Sequence, residues 1–172
     1  MNRSARVGVS LISIGLLAFV SSSACVGSSA RVWDARLSQE ERVAAFRDLP
    51  EKARRSLIPL SEIFYARISS RRFNSRATFE DPSMRQFFPT LASYSDYYAA
   101  LSDALDRANI QYHRPTLIEL TGIEVDPSGS LLLSLRFTGR NDLPLRWWNA
   151  TLLRTDEWVW QDDRWWVVPG KL

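Results

Sequence analysis

The sequence predicts an α+β domain in which N-terminal helices pack on an antiparallel sheet of about four strands. Three observations predict it. As far as Asn109, apolar residues recur at spacings of three and four, the period of one helix face. After Pro115 the period changes to two, that of a strand. Helical segments that all precede a block of short strands joined by turns give the α+β class.

The elements run in chain order. Ser38-Gln39-Glu40-Glu41 has the S-x-x-E spacing of a capping box, in which hydroxyl and carboxylate each take a backbone amide left free at a helix start. A helix is expected there, with Val43, Phe46 and Leu49 on one face. Asp48-Leu49-Pro50-Glu51 is a second start signal, because proline suits the first turn. Pro59 is expected to break or kink the helix, since it lacks an N–H and its ring crowds the preceding turn. Ile63, Phe64 and Ile68 continue a helical stripe towards Phe73. Asp81-Pro82 reads as a turn or a fresh helix start, and Met84, Phe87 and Phe88 as a short apolar helix. Residues 93–109 form the clearest helix. Tyr94, Tyr97, Tyr98, Leu101, Leu105 and Ala108 share one face, while Asp96 and Asp103 face water.

Residues 116–125 make the first β run, and Asp126-Pro127-Ser128-Gly129 is a strong turn signal. Leu131, Leu133, Leu135 and Phe137 then alternate with Leu132, Ser134, Arg136 and Thr138. Residues 139–144 read as a polar loop and 145–154 as a third strand. Thr155-Asp156-Glu157 reads as a turn or bulge, because an unbroken run to Trp160 exceeds the usual strand length. The closing hairpin can be put in register. With Asp162-Asp163 as its two-residue loop, Gln161 faces Arg164, Trp160 faces Trp165, Val159 faces Trp166 and Trp158 faces Val167. Cross-strand partners share a face. Trp158, Trp160, Trp165 and Val167 therefore line one side; Val159, Trp166 and Val168 line the other.

The run from Glu157 through Trp158, Trp160, Asp162-Asp163 and Arg164-Trp165-Trp166 to Val168 resembles the closing strands of the NTF2-like (SnoaL-like) superfamily. Those strands often read W-x-W/R, an acidic turn, then R-W-x-V. The resemblance spans roughly residues 60–169 and implies helices folded over a strongly curved sheet, an NTF2-like cone. The helical stretch 38–57 is additional to that pattern and is expected to form a lid or stalk. Some NTF2-like enzymes use an Asp, His or Tyr inside the cone for isomerisation or dehydration.

The start of the chain carries an address. Arg3 and Arg6 precede the apolar stretch of Val7 to Val20, with no acid between. Those 14 residues would rise about 21 Å as a helix, short of the ~30 Å hydrocarbon core, so they read as the h-region of a signal peptide. Ser21-Ser22-Ser23-Ala24 then leads to Cys25, and the whole resembles a bacterial lipobox. Ser22 stands where that family usually has Leu or Val. The resemblance implies a diacylglycerol on the Cys25 sulfur, cleavage before it, and usually a further acyl group such as palmitate on the new N-terminus. Val26, in place of Asp, implies the outer membrane, facing the periplasm. An ordinary cleaved signal is the alternative, since Ser22-x-Ala24 is also an A-x-A-like site. The expected organisation is a signal peptide at 1–24, a lipidated tether at 25–37 and one α+β domain at 38–172.

Composition narrows the functions. Without Arg3 and Arg6 the chain has 20 basic and 19 acidic residues, a balance that gives no reason to expect nucleic acid. One Cys and one His exclude a Cys/His metal cage and an internal disulfide. No G-x-G-x-x-G, P-loop, G-x-S-x-G or H-E-x-x-H pattern is present, and no cofactor is expected. Arg54, Arg55, Arg67, Arg71, Arg72 and Arg76 read as a solvated helix face with ion pairs to Glu51 and Glu62, against the alternative of contact with anionic headgroups.

The candidate ligand or partner contacts are Tyr94, Tyr97, Tyr98, His113, Trp148 and Trp166. Of the seven tryptophans six lie after residue 146; they fill a sheet core or line a binding surface, with Trp148 and Trp166 alternating away from their neighbours' face. His113 is a general-base candidate whose plainer role is structural. Asp96 could pair with the tyrosines but lies off their face. No acid is placed in an apolar interior, so no catalytic residue is assigned. The resulting expectation is a lipid-anchored envelope protein, a non-enzymatic module for a protein partner or a small ligand. The alternative is an isomerase or dehydratase acting on a small apolar substrate.

Overall fold

Start signals in the sequence become helix caps in the computed structural model, which describes residues 37–170. Segment 1–24, Cys25 and the tether up to residue 36 lie outside the described residues. The helices are α1 (Gln39–Phe46), α2 (Glu51–Ser69), α3 (Arg76–Phe79), α4 (Pro82–Arg85) and α5 (Leu91–Arg107). Thr90 opens α5 by a reciprocal cap: its hydroxyl accepts from the Ser93 amide, and the Ser93 hydroxyl accepts from the Thr90 amide. Asp81 caps α4 through the Ser83 amide, with Pro82 in the first turn. Asp81 is itself buried and paired with Arg71 at 2.9 Å and Arg67 at 3.4 Å.

Three helical expectations need correction. Pro50, not Asp48, takes the N-cap of α2, and it offers no side-chain bond. Pro59 does not end the helix, because α2 runs through it to Ser69. Pro59 is on the exposed side, while Leu57, Phe64, Tyr65 and Ile68 hold the opposite side in the core and compensate for the missing backbone bond. Val43 and Ile63 face solvent; Ala45, Ser61 and Tyr65 take the buried positions. In the basic stretch, Arg54 and Arg55 pair with Glu51 as expected; Glu80 and Asp81, not Glu62, take Arg76, Arg67 and Arg71.

The sheet keeps the order of the chain: β1 (Ile110–Val125), β2 (Leu131–Asn141), β3 (Asn149–Gln161) and β4 (Arg164–Val168) lie side by side, all antiparallel. The closing hairpin has the expected register, with Trp160 opposite Trp165 and Val159 opposite Trp166. Asp162 and Asp163 both take positive φ, as a two-residue hairpin loop requires. β1 begins six residues before the sequence-predicted start. Its register shifts three times, and Tyr112 and His113 sit at φ 58° and 48°. Such irregularities bend a strand and increase local twist, which curves the sheet around the helices.

β3 is a single 13-residue strand, so Thr155-Asp156-Glu157 is neither turn nor bulge. Its length is shared between two neighbours: Asn149 to Trp158 pair with β2, and Glu157 to Gln161 pair with β4. It starts at Asn149, not 145, because Pro144 has no donor for a ladder and Leu145 turns to φ 63°.

The inner face of the sheet meets α2 and α5. Leu131, Leu133, Leu135 and Phe137 from β2 and Ile118 and Leu120 from β1 share one core with Phe64, Ile68, Leu101 and Leu105. Gly139 marks a close approach. A Cβ there would lie 2.7 Å from Ile110 Cγ2 and 3.1 Å from the Arg114 carbonyl oxygen. Ile110 is buried and β-branched, so it has little room to yield. Gly139→Ala is therefore expected to lower stability by about 1–3 kcal/mol, read from urea unfolding midpoints.

Candidate functional site

Side chains two apart on a strand share a face. On β3 this rule puts Arg154 and Asp156 on the inner side with Trp158. Asp156 thereby enters the core, 2% exposed. This corrects the sequence-based expectation of no interior acid. The signal was present: Asp156 has the parity of Trp158 and Trp160, whose face the hairpin register fixes, and only the assumed turn at 155–157 hid it.

Four side chains surround this carboxylate. Tyr65 of α2 and Tyr97 of α5 donate their hydroxyls to Oδ2 at 2.8 and 2.7 Å. Arg154 donates through Nε to Oδ1 at 2.5 Å. The Trp158 indole donates to the Tyr65 hydroxyl oxygen at 3.2 Å, completing the chain. The Arg154 guanidinium also lies over the Tyr97 ring, 5.0 Å from its centroid. Burial first, and then the negative charge of Asp156, hold both phenols well above their ordinary value of 10.0. Burial opposes the charge on Arg154, but Asp156 and the tyrosines outweigh it, and the guanidinium stays charged. Both carboxylate oxygens are thus engaged, and the ion is paired where an unpaired one would be very costly. The arrangement ties α2, α5 and β3 together and presents no acid to a substrate.

The sequence-predicted candidates do not converge on one place. Tyr97 belongs to the Asp156 cluster. Tyr94 is fully buried and donates to the Thr78 carbonyl at 2.5 Å; Tyr98 stacks on Phe73 and donates to the Ser75 carbonyl. Asp96 faces solvent on the far side of α5, so it does not join the tyrosines. His113 meets Ser102 through Nδ1 at 3.0 Å and Asp106 through Nε2 at 3.3 Å. Ser102 and Asp106 are four apart on α5 and share a face. Their contacts clamp the positive-φ start of β1 to that helix, and the Phe73 amide donates to the His113 carbonyl at 3.0 Å.

The tryptophans divide between core and surface. Trp158 and Trp165 are buried, and Trp165 donates its indole N–H to the Ala53 carbonyl at 3.2 Å. Trp160 packs half-buried against Trp165. Trp166 lies on the other face, beneath the Arg164 guanidinium, beside an apolar groove of about 260 Å³ that includes Pro89, Val159 and Val168. Trp148 is exposed. So is Trp147, at 91%, a residue sequence reasoning passed over by placing it in a strand. Both belong to the loop between β2 and β3, together with Leu145, which is 97% exposed. Between that loop and Gln111 of β1 lies a cleft of about 430 Å³ lined by Arg140, Asn141, Asp142 and Arg146.

Among the described residues, no group of His, Cys, Asp and Glu could hold a metal ion, and no helix is long and apolar enough to cross a membrane. No protein-family model, curated protein or solved structure matches the chain.

Proposed function

We propose that the chain is an exported envelope lipoprotein, held by lipid on Cys25, whose folded part is a non-enzymatic module that binds at its surface. One observation carries the second half of this reading. Of the three buried acids among the described residues, Asp156 is consumed by Tyr65, Tyr97 and Arg154, Asp81 is paired with Arg67 and Arg71, and Glu119 lies 3.7 Å from Arg136, while large apolar side chains left to water gather on the β2–β3 loop. An isomerase or dehydratase of the NTF2-like type needs an acid or base with an atom free for substrate, and the Asp156 side chain is only 1% exposed.

The anchoring half is supported by the order of the first 25 residues: basic start, short apolar stretch, small residues, then the lone Cys. The helix-then-sheet order and the closing Trp-rich hairpin support placement with the NTF2-like cones. The working mechanism is tethering: fatty chains on Cys25 keep the domain beside a membrane and raise its local concentration there. The outer membrane, with the domain in the periplasm, is the proposed location.

Intact-mass measurement of the protein recovered from membranes tests the anchor. The expected species begins at Cys25 and carries diacylglycerol, and Cys25→Ser removes that lipid mass. A species with an uncleaved start and a bare thiol overturns the reading.

A further inference from the structure

We propose that the β2–β3 loop is a membrane-contact site. It seats Leu145, Trp147 and Trp148 in the interfacial layer of an anionic phospholipid bilayer and sets Arg140 and Arg146 against the headgroup phosphates. The proposal rests on the reading that this protein binds at its surface, and not on lipidation of Cys25.

Single apolar residues on a surface need no explanation, but a contiguous exposed group marks a contact site. Here Leu145 and Trp147 are almost fully exposed and Trp148 half so. Their presentation is built by the backbone. The Asp142 amide donates to the Asn109 carbonyl and the Leu143 amide to the Asn141 side-chain oxygen, both at 2.9 Å, which fixes the base of the loop. Leu145 takes φ 63°, and the Arg146 amide closes a turn onto the Leu143 carbonyl. The two indoles stand edge to face at 79° rather than stacked flat. The fixed base lowers the backbone entropy lost when this tip enters a second phase.

The chemistry selects the occupant. Tryptophan partitions to the headgroup depth, where its ring is apolar and its N–H stays wet, while leucine reaches the acyl boundary. Leu145 and Trp147 share the lining of a cleft of about 430 Å³ with two guanidiniums, Arg140 and Arg146, one carboxylate, Asp142, and the amides of Gln111 and Asn141. Arginine matches phosphate by paired N–H donors. Exposed apolar side chains beside two guanidiniums complement a surface that offers acyl chains beside phosphates.

The test uses the full chain carrying Cys25→Ser and Leu145→Cys, labelled at residue 145 with an environment-sensitive fluorophore. It is mixed with vesicles of phosphatidylcholine, alone or with phosphatidylglycerol. A second chain labelled at Asp163→Cys, at the opposite end of β3, is the reference. We expect a blue shift and quenching by brominated acyl chains at 145 and neither at 163. Arg140→Glu with Arg146→Glu is expected to weaken the response to phosphatidylglycerol by about tenfold or more, and Trp147→Ser with Trp148→Ser to abolish it. Near-ultraviolet circular dichroism confirms that each variant is folded. Water-like emission at 145 on anionic vesicles, equal shifts at both positions, or a shift that needs envelope proteins instead of lipid overturns the proposal. Because residue 25 is serine throughout, failure here leaves the anchoring test untouched.

Discussion

Replacing Asp156 with alanine lowers the unfolding free energy by about 3–5 kcal/mol, enough to remove much of the stability of a domain this size. The loss is large because of what remains behind. Arg154 keeps its charge with its side chain only 14% exposed and no partner for Nε. Tyr97 keeps a buried donor whose acceptor is gone, and Tyr65 loses its bond to the same oxygen. Each orphaned group carries its own desolvation penalty. The interpretation is checked by a second substitution. Adding Arg154→Met to the Asp156 variant removes the stranded charge and should recover a substantial part of the loss in urea unfolding. A variant that unfolds no more easily than the parent would show that the carboxylate does not tie α2, α5 and β3 together.

Alkaline pH should unfold the protein through the same cluster. Tyr65 and Tyr97 keep their protons in the fold well above the ordinary value of 10.0, whereas in the unfolded chain they release them near it. Above pH 10 the unfolded state therefore binds fewer protons than the native state. Stability is fully present below that point and falls as pH rises from it towards the native pKa values. Each phenol contributes about 1.4 kcal/mol per pH unit in that window, or roughly 2.7 kcal/mol per unit for the pair. Tyr94, which burial also raises, acts in the same sense. Urea titrations from pH 9 upwards measure this slope. Tyr97→Phe should reduce it by one proton's share, and a slope unchanged by that substitution would assign the alkaline transition elsewhere.

The sequence was most legible where geometry leaves no choice. A two-residue loop at Asp162-Asp163 dictates every pair in the last hairpin, so Trp160 against Trp165 could be written down without coordinates. Helix α5 was equally plain, because its tyrosines and leucines keep one period throughout. The start of β1 was not legible: positive φ at Tyr112 and His113 interrupts the alternation that betrays a strand, and nothing in either residue type announces it. Pro59 misled because tertiary packing along Leu57, Phe64 and Ile68 overrides a local preference. The candidate site suffered from one wrong inference about length. Treating residues 155–157 as a turn severed Asp156 from the parity of its own strand, and with it went Tyr65, a partner 91 positions away. The loop at 142–148 was misread in part, for the opposite reason. Residues 142–144 read as loop, but Leu145-Arg146-Trp147-Trp148 is apolar enough to pass for the start of a strand, although Leu145 takes φ 63°.

A sheet whose strands keep chain order ends at β1 and β4, and exposed borders of this kind invite pairing with another molecule's backbone. Both borders here are poor templates. Pro115 and the displaced register leave the opening stretch of β1 without a regular row of donors. β4 is only five residues long, and its Val167 amide is spent on the Phe87 carbonyl at 2.9 Å. At β1 the irregularities that bend the sheet also blunt its border, and at β4 short length and the Phe87 contact do the same.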